Sequence, residues 1–200
     1  MIVIVDYGCG NLNSIRNMLK KIGFESVVSS SVNDIAVASK IILPGVGSFD
    51  TGMNSLHEIG YFPVLTEKAL KEKIPFLGIC LGMQLMTNGS EEGKQKGLGW
   101  IDADTRKFTS NEKLKIPNMG WNEVDVKKEN KLFSGIIHPR FYFVHSYYIQ
   151  SRNADNILAT ANYGIEYTCA FQKENLFGVQ FHPEKSHKYG MKLLTNFAKL

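Results

Sequence analysis

The residue types with the most chemistry to offer converge on one cysteine. Cys80 stands in Ile74-Pro75-Phe76-Leu77-Gly78-Ile79-Cys80-Leu81-Gly82-Met83-Gln84-Leu85-Met86, an apolar run with glycines two before and two after the sulfur. A short apolar run reads as a buried parallel strand, and Leu81, Leu85 and Met86 then fall on one helix face. The pattern predicts strand, sharp turn, helix, with Cys80 at the corner. It mimics the Gly-x-Ser-x-Gly elbow, where a nucleophile occupies a strained turn and small neighbours leave room for substrate. Oriented N–H groups at a helix start favour a thiolate, the reactive form of sulfur. The competing reading is a buried structural cysteine, a common fate of free Cys.

A base for such a sulfur is offered by Leu176-Phe177-Gly178-Val179-Gln180-Phe181-His182-Pro183-Glu184. Residues two apart on a strand share a face, so His182 and Glu184 can lie side by side. The carboxylate would hold one imidazole nitrogen and free the other to take a proton, which is triad logic with sulfur as nucleophile. Pro183 cannot donate to a sheet ladder and places the motif at a strand end or edge. His145, among Phe141, Tyr142, Phe143 and Tyr147, is the rival base, or else a packed pocket wall. His57, His138 and His187 lack a carboxylate at a useful spacing and read as surface or turn residues. Glu91 and Glu92 precede a glycine and read as a solvated loop.

These groups need a frame. Ile2 to Val5 is a β-branched run followed by Leu12, Ile15, Met18, Leu19 and Ile22 at helical spacing, a β-loop-α unit. The loop Gly8-Cys9-Gly10-Asn11-Leu12-Asn13 has Asn13 where a dinucleotide fingerprint needs its third glycine, which excludes that cofactor site. Asn11 would cap the helix. Strands are expected at 25–29 and 41–43, the latter ending in Pro44-Gly45-Val46-Gly47-Ser48-Phe49. In an open α/β sheet the site lies beyond the carboxyl ends of the strands, so this glycine loop and the Cys80 turn would share one rim. A turn whose glycines serve only its geometry is the alternative. Phe62, Leu65, Ala69 and Leu70 mark a further helix. After Asn88 the alternation stops, and short β-rich segments at 100–108, 122–126, 140–145, 147–150, 157–161, 165–171 and 176–181 suggest antiparallel additions to the same sheet. Residues 94–96 and 110–113 read as polar loops, and Tyr189, Leu193, Leu194 and Phe197 as a terminal helix.

Composition narrows the classes. Over 200 residues, 44% hydrophobic and 21% charged, the chain has the makings of one globular domain spanning 1–200. Its net charge of +4 comes from scattered lysines beside carboxylates, which argues against a nucleic-acid groove. Cys9, Cys80 and Cys169 are widely spaced and odd in number, so neither a disulfide framework nor a Cys-x-x-Cys metal site is available. A reducing cytoplasm fits. The opening run meets Asp6 too soon for a signal sequence, and no window is long enough for a membrane span.

With Gly78-Ile79-Cys80-Leu81-Gly82, His182-Pro183-Glu184 and Pro44-Gly45-Val46-Gly47 in hand, the chain resembles the class I glutamine amidotransferases. Asp6-Tyr7-Gly8, Met119-Gly120-Trp121-Asn122 and Tyr142-Phe143-Val144-His145-Ser146-Tyr147 extend the likeness to the glutaminase subunits of imidazole glycerol phosphate synthases. The resemblance implies an α/β, flavodoxin-like fold, with a mostly parallel central sheet flanked by helices and antiparallel strands added in the C-terminal half. It implies hydrolysis of L-glutamine by a Cys80, His182, Glu184 triad, with the oxyanion met by backbone N–H groups of Leu81 and of Gly45, Val46 or Gly47. Gln84, Glu92, Ser146 and Tyr147 would contact glutamine. Ammonia would pass to a (βα)8-barrel cyclase subunit in a heterodimer, with Asn11, Trp121 and Lys185 near its surface. No cofactor and no metal are implied.

Two departures from the subfamily bear on the partner. Asn118 stands where histidine is usual, and Gly93-Lys94-Gln95-Lys96-Gly97-Leu98-Gly99-Trp100 differs from the commoner, shorter lead. Related subunits feed synthases that aminate sugars, which is the alternative partner. A stand-alone cysteine peptidase and a non-catalytic amidotransferase-like binding protein are the alternatives from other classes.

Overall fold

A computed structural model describes residues 1–109 and 114–200, so the polar loop expected at 110–113 lies outside the described residues. Ten strands among these residues form one sheet whose first part is parallel, in the order β2 (Ser26–Ser29), β1 (Ile2–Val5), β3 (Lys40–Leu43), β4 (Phe76–Ile79), β12 (Leu176–Val179). This 2-1-3-4-5 sequence of parallel strands is the flavodoxin-like order, which puts the site beyond the strands' carboxyl ends. Antiparallel strands continue it: β11 (Glu166–Lys173), β10 (Ile157–Asn162) and β7 (Asp125–Val126), with β9 (Tyr147–Ser151) pairing both β11 and β5 (Ala103–Lys107).

Alternation along β1 shows why the sheet is covered on both faces. Successive side chains point to opposite faces of a strand. Ile2 and Ile4 enter one core with Ile15 and Leu19 of α1 (Leu12–Lys21) and Leu193, Leu194 and Phe197 of α6 (His187–Ala198). Val3 and Val5 enter the other, with Ile35 of α2 (Val32–Ala36), Met53 and Leu56 of α3 (Phe49–Glu58), Leu65 of α4 (Tyr61–Thr66), and Leu81 and Leu85 of α5 (Leu81–Leu85). Ser48 caps α3, its side chain accepting from Thr51 N–H at 3.4 Å.

Several expectations need correction. The segment at 176–181 is not an antiparallel addition: β12 lies parallel to β4 and ends at Val179. The segment at 122–126 splits, because β6 (Asn118–Glu123) pairs with β8 (Arg140–His145) in a separate two-stranded sheet while β7 joins the main one. The helix expected around Phe62 to Leu70 is α4 followed by a π-helical turn at Glu67–Lys71, and Leu70 is 41% exposed. Asn11 occupies the N-cap position of α1, yet its side chain makes no capping hydrogen bond.

Candidate active site

The turn at Cys80 is built by close packing. Cys80 follows β4 directly and is the N-cap of α5, with φ 54° and ψ −111°. A side chain at positive φ costs on the order of 1–3 kcal/mol and persists only where its surroundings enforce it. The two glycines do that enforcing. A Cβ on Gly78 would meet Gly82 O and Met83 Cα at 2.8 Å, and one on Gly82 would lie 1.9 Å from Leu43 O. They let α5 lie back on β4 and pass the end of β3; their small size serves backbone packing, and not, as expected, space for substrate.

His182 arrives from the neighbouring strand. Val179 of β12 is level with Ile79 of β4, and Cys80 N–H donates to Val179 O at 2.8 Å. The chain then leaves the sheet, His182 N–H donating to Tyr142 O at 2.9 Å, and enters a 3₁₀ turn at Pro183–Lys185. His182 and Glu184 therefore do not share a strand face as predicted; the turn brings them together instead. His182 Nδ1 and Glu184 Oε1 are 2.8 Å apart, with side chains only 2% and 1% exposed. Burial alone would push the His182 pKa down, but the Cys80 sulfur and the Glu184 carboxylate outweigh it, and the pKa is pushed up to about 10. Its Nε2 is buried without a completed hydrogen bond. In a ligand-free enzyme site such contacts are often long and tighten around substrate.

A cleft of about 330 Å³ opens onto this pair, lined by Val46, Gly47, Cys80, Leu81, Gln84, Glu92, Ser146, Tyr147 and His182 together with Pro117, Val144 and His145. Clefts of 680 and 480 Å³ over α1–β2 and near Leu200 are larger but are lined by no cysteine or histidine. Of the predicted residues, Gly45 is set behind the cleft, where its Cβ position is 2.6 Å from Tyr7 Oη and 2.7 Å from Leu81 Cβ. Glu184 lies behind His182. Leu81 opens α5, so its N–H has no partner four residues back and is available to a ligand.

The glycine loop is anchored at both ends. Tyr7 Oη donates to Pro44 O at 2.6 Å, and Glu92 Oε2 accepts from Phe49 N–H at 2.8 Å. Next to Phe49, Asp50 accepts from the N–H groups of Lys94 and Gln95, which hold its carboxyl below the usual carboxylate range. Glu92 is thus tied to the loop through one carboxylate oxygen. Between the anchors Gly47 sits at φ 109°, which only glycine adopts readily.

His145 forms part of the cleft wall. Burial pushes its pKa down to about 4, against the pull of the Tyr147 carbonyl and with the His182 charge lowering it further. It is neutral at pH 7, with Nδ1 2.7 Å from Tyr147 O and Nε2 3.2 Å from both Asn118 Nδ2 and Tyr167 Oη. His57, His138 and His187 are exposed.

Trp121 and Lys185 share a patch through Tyr142. The Trp121 ring meets Tyr142 edge-on at 6.4 Å and stacks on His187 at 5.6 Å, while Lys185 Nζ sits 5.7 Å from the Tyr142 centroid. Trp121 is 38% and Met119 62% exposed. Asn11 opens α1, which packs against the Pro183–Lys185 turn. Sequence reasoning missed Gln180, Tyr7 and Asp50 as supports of the site. An amide interrupting the apolar run before His182 was the available signal for Gln180.

The family model of class I glutamine amidotransferases matches residues 3–200. The chain belongs to that family of enzymes. Among curated relatives, the imidazole glycerol phosphate synthase subunit HisH 2 of Methanococcus maripaludis is 56% identical over 200 residues, covering 100% of this chain and 99% of the relative. The subunit HisH 2 of Pseudomonas aeruginosa is 50% identical over 201 residues, with 100% of both chains covered. Solved structures agree on the fold: one described as a glutamine amidotransferase has a TM-score of 0.79 at 16% identity, covering 100% of each chain. Thermotoga maritima PurLQS has a TM-score of 0.75 at 19% identity, covering 99% of this chain and 97% of that one. Among the described residues no helix is long and apolar enough to cross a membrane.

Proposed function

We propose that this chain is the glutaminase subunit of an imidazole glycerol phosphate synthase, one domain over residues 1–200, working in the cytoplasm beside a (βα)8-barrel cyclase in histidine biosynthesis. The observation that carries the chemistry is the buried His182–Glu184 pair beside a cysteine held at positive φ. Full-length similarity to subunits bearing that name supports the assignment.

In this reading Cys80 Sγ attacks the side-chain amide carbon of glutamine. The oxyanion is met by Leu81 N–H and by an N–H from residues 45–47, donors typically worth about 3 kcal/mol each. His182 gives its proton to the departing nitrogen, ammonia leaves, and a thioester remains. His182 then takes a proton from water as the water attacks, and glutamate is released. Glu184 holds the imidazole. Glu92 faces the α-ammonium, while Gln84, Ser146 and Tyr147 complete the glutamine pocket. Ammonia passes to the cyclase, which docks on the face carrying Asn11, Trp121 and Lys185. The partner's contact aims the glycine-loop N–H.

The test is to mix the chain with candidate barrel partners and follow glutamate release and imidazole product together. Coupling to the imidazole-forming cyclase, with turnover rising when that partner is loaded, is the expected result. Coupling only to a barrel that makes no imidazole product would replace this reading by the sugar-aminating one. Equal turnover with and without loaded partner would sink the role given to the glycine loop.

A further inference from the structure

The carbonyl oxygen of Tyr147 sets the direction of a buried hydrogen-bond chain that ends on the thiol. A backbone carbonyl only accepts. Gln84 reaches it at 3.4 Å with its amide nitrogen, and His145 Nδ1, at 2.7 Å, carries the proton there. Because Gln84 Nε2 donates, the Gln180 atom 3.0 Å from it is the oxygen. That turns the Gln180 nitrogen the other way, onto Cys80 Sγ at 3.7 Å. Gln180 is fully buried and Gln84 only 5% exposed, so water does not compete for the Gln180 amide.

We propose that Gln180 is a positioning residue for Cys80: its amide N–H, aimed by Gln84 and the Tyr147 carbonyl, holds Sγ beside His182 and stabilises negative charge on the sulfur. The inference rests on reading Cys80 as the nucleophile. Other groups around the sulfur have different tasks. His182, backed by Glu184, supplies the positive charge. The Tyr7 hydroxyl is engaged by Pro44 O, the His145 Nδ1 proton by Tyr147 O, and Glu92 by Phe49 N–H. Among the described residues Gln180 is left as the neutral side-chain donor on Sγ, and a hydrogen bond to an ionised acceptor is about twice as strong as a neutral one.

Two near-isosteric variants separate charge stabilisation from packing. Gln180→Glu keeps an oxygen facing Gln84 but presents an acceptor to the sulfur; Gln180→Met presents no donor. The readout is the rate of Cys80 alkylation by iodoacetamide in the full chain, measured at the Cys80 peptide by mass spectrometry from pH 6 to 10. This assay needs neither glutamine nor partner, so its outcome is separate from that of the functional reading. Gln180→Met is expected to react about tenfold more slowly than wild type at pH 7, with Gln180→Glu slower still and both converging on wild type at high pH. Should Gln180→Glu fail to fold, the Gln180→Met profile decides alone. A Gln180→Met profile that overlays wild type, or that is lowered equally at every pH, would overturn the proposal.

Discussion

Glu184→Gln isolates the contribution of one charge. The amide keeps the volume of the carboxylate and an oxygen that can accept from His182 Nδ1, now at 2.8 Å from Oε1, so the imidazole stays oriented. What disappears is the counter-charge to a side chain only 2% exposed. Burial pushes His182 down, and the Cys80 sulfur and Glu184 together lift it to about 10. Losing one of these two supports drops it toward the ordinary histidine range. Breaking a buried ion pair costs about 3–5 kcal/mol, and the retained hydrogen bond returns roughly 1 of that. A net loss of about 2–4 kcal/mol, carried over to the transition state, corresponds to a turnover reduced roughly 30- to 1,000-fold, smaller than removal of Cys80 or His182 would give. Stability carries the same signature. A histidine whose folded pKa lies near 10 against 6.5 contributes stability fully present below pH 6.5 and lost as pH rises through 10. The gap in melting temperature between wild type and Glu184→Gln should therefore be fully open at and just below pH 6.5 and close toward pH 10. Calorimetry across that window, with glutamate release in the presence of the barrel partner, reads both effects. A constant gap in melting temperature together with wild-type turnover would refute the reasoning.

Further outcomes follow from the same geometry. Cys80→Ala and Cys80→Gly should both abolish glutamine hydrolysis and leave partner binding intact. Because only glycine relieves the positive φ at position 80, the Gly variant should be more stable than the Ala variant by about 1 kcal/mol, read from denaturant midpoints; equal stability would remove the strain argument. His145, with its pKa pushed down to about 4, should stay neutral by imidazole NMR to well below pH 6. Its depressed pKa contributes stability present above pH 6.5 and lost as pH falls through 4, the opposite slope to His182. An imidazole titrating near pH 6.5 would return His145 to contention as the base.

Local patterns were legible where local forces decide the outcome. The strand at 140–145 and the first strand were read to the residue, since each is an unbroken run of β-formers. The elbow at Cys80 was readable because glycine spacing records steric crowding. What periodicity could not show was pairing over long separations. A four-residue apolar strand such as β12 carries no mark of its neighbour, and its parallel place beside β4 depends on the whole sheet closing. The same limit hid the separate β6–β8 sheet, whose Met119 and Trp121 face outward. His182 and Glu184 were paired correctly on incorrect grounds: proline ended the strand, and the turn that replaced it delivered the contact. Gln180, Tyr7 and Asp50 escaped notice because each acts through hydrogen bonds to residues distant in the chain, which leave no periodic trace.

The parallel seam between β4 and β12 also sets an order of events in time. Cys80 emerges in the first half of the chain, whereas the strand whose Val179 carbonyl receives the Cys80 N–H, and the histidine that follows it, come near the end. During vectorial synthesis the thiol therefore exists without His182 while the next 102 residues are made. Because β12 fills the slot between β4 and β11, its docking both joins the two parts of the sheet and brings His182 toward the sulfur. A chain broken off before β12 therefore carries Cys80 without His182 beside it.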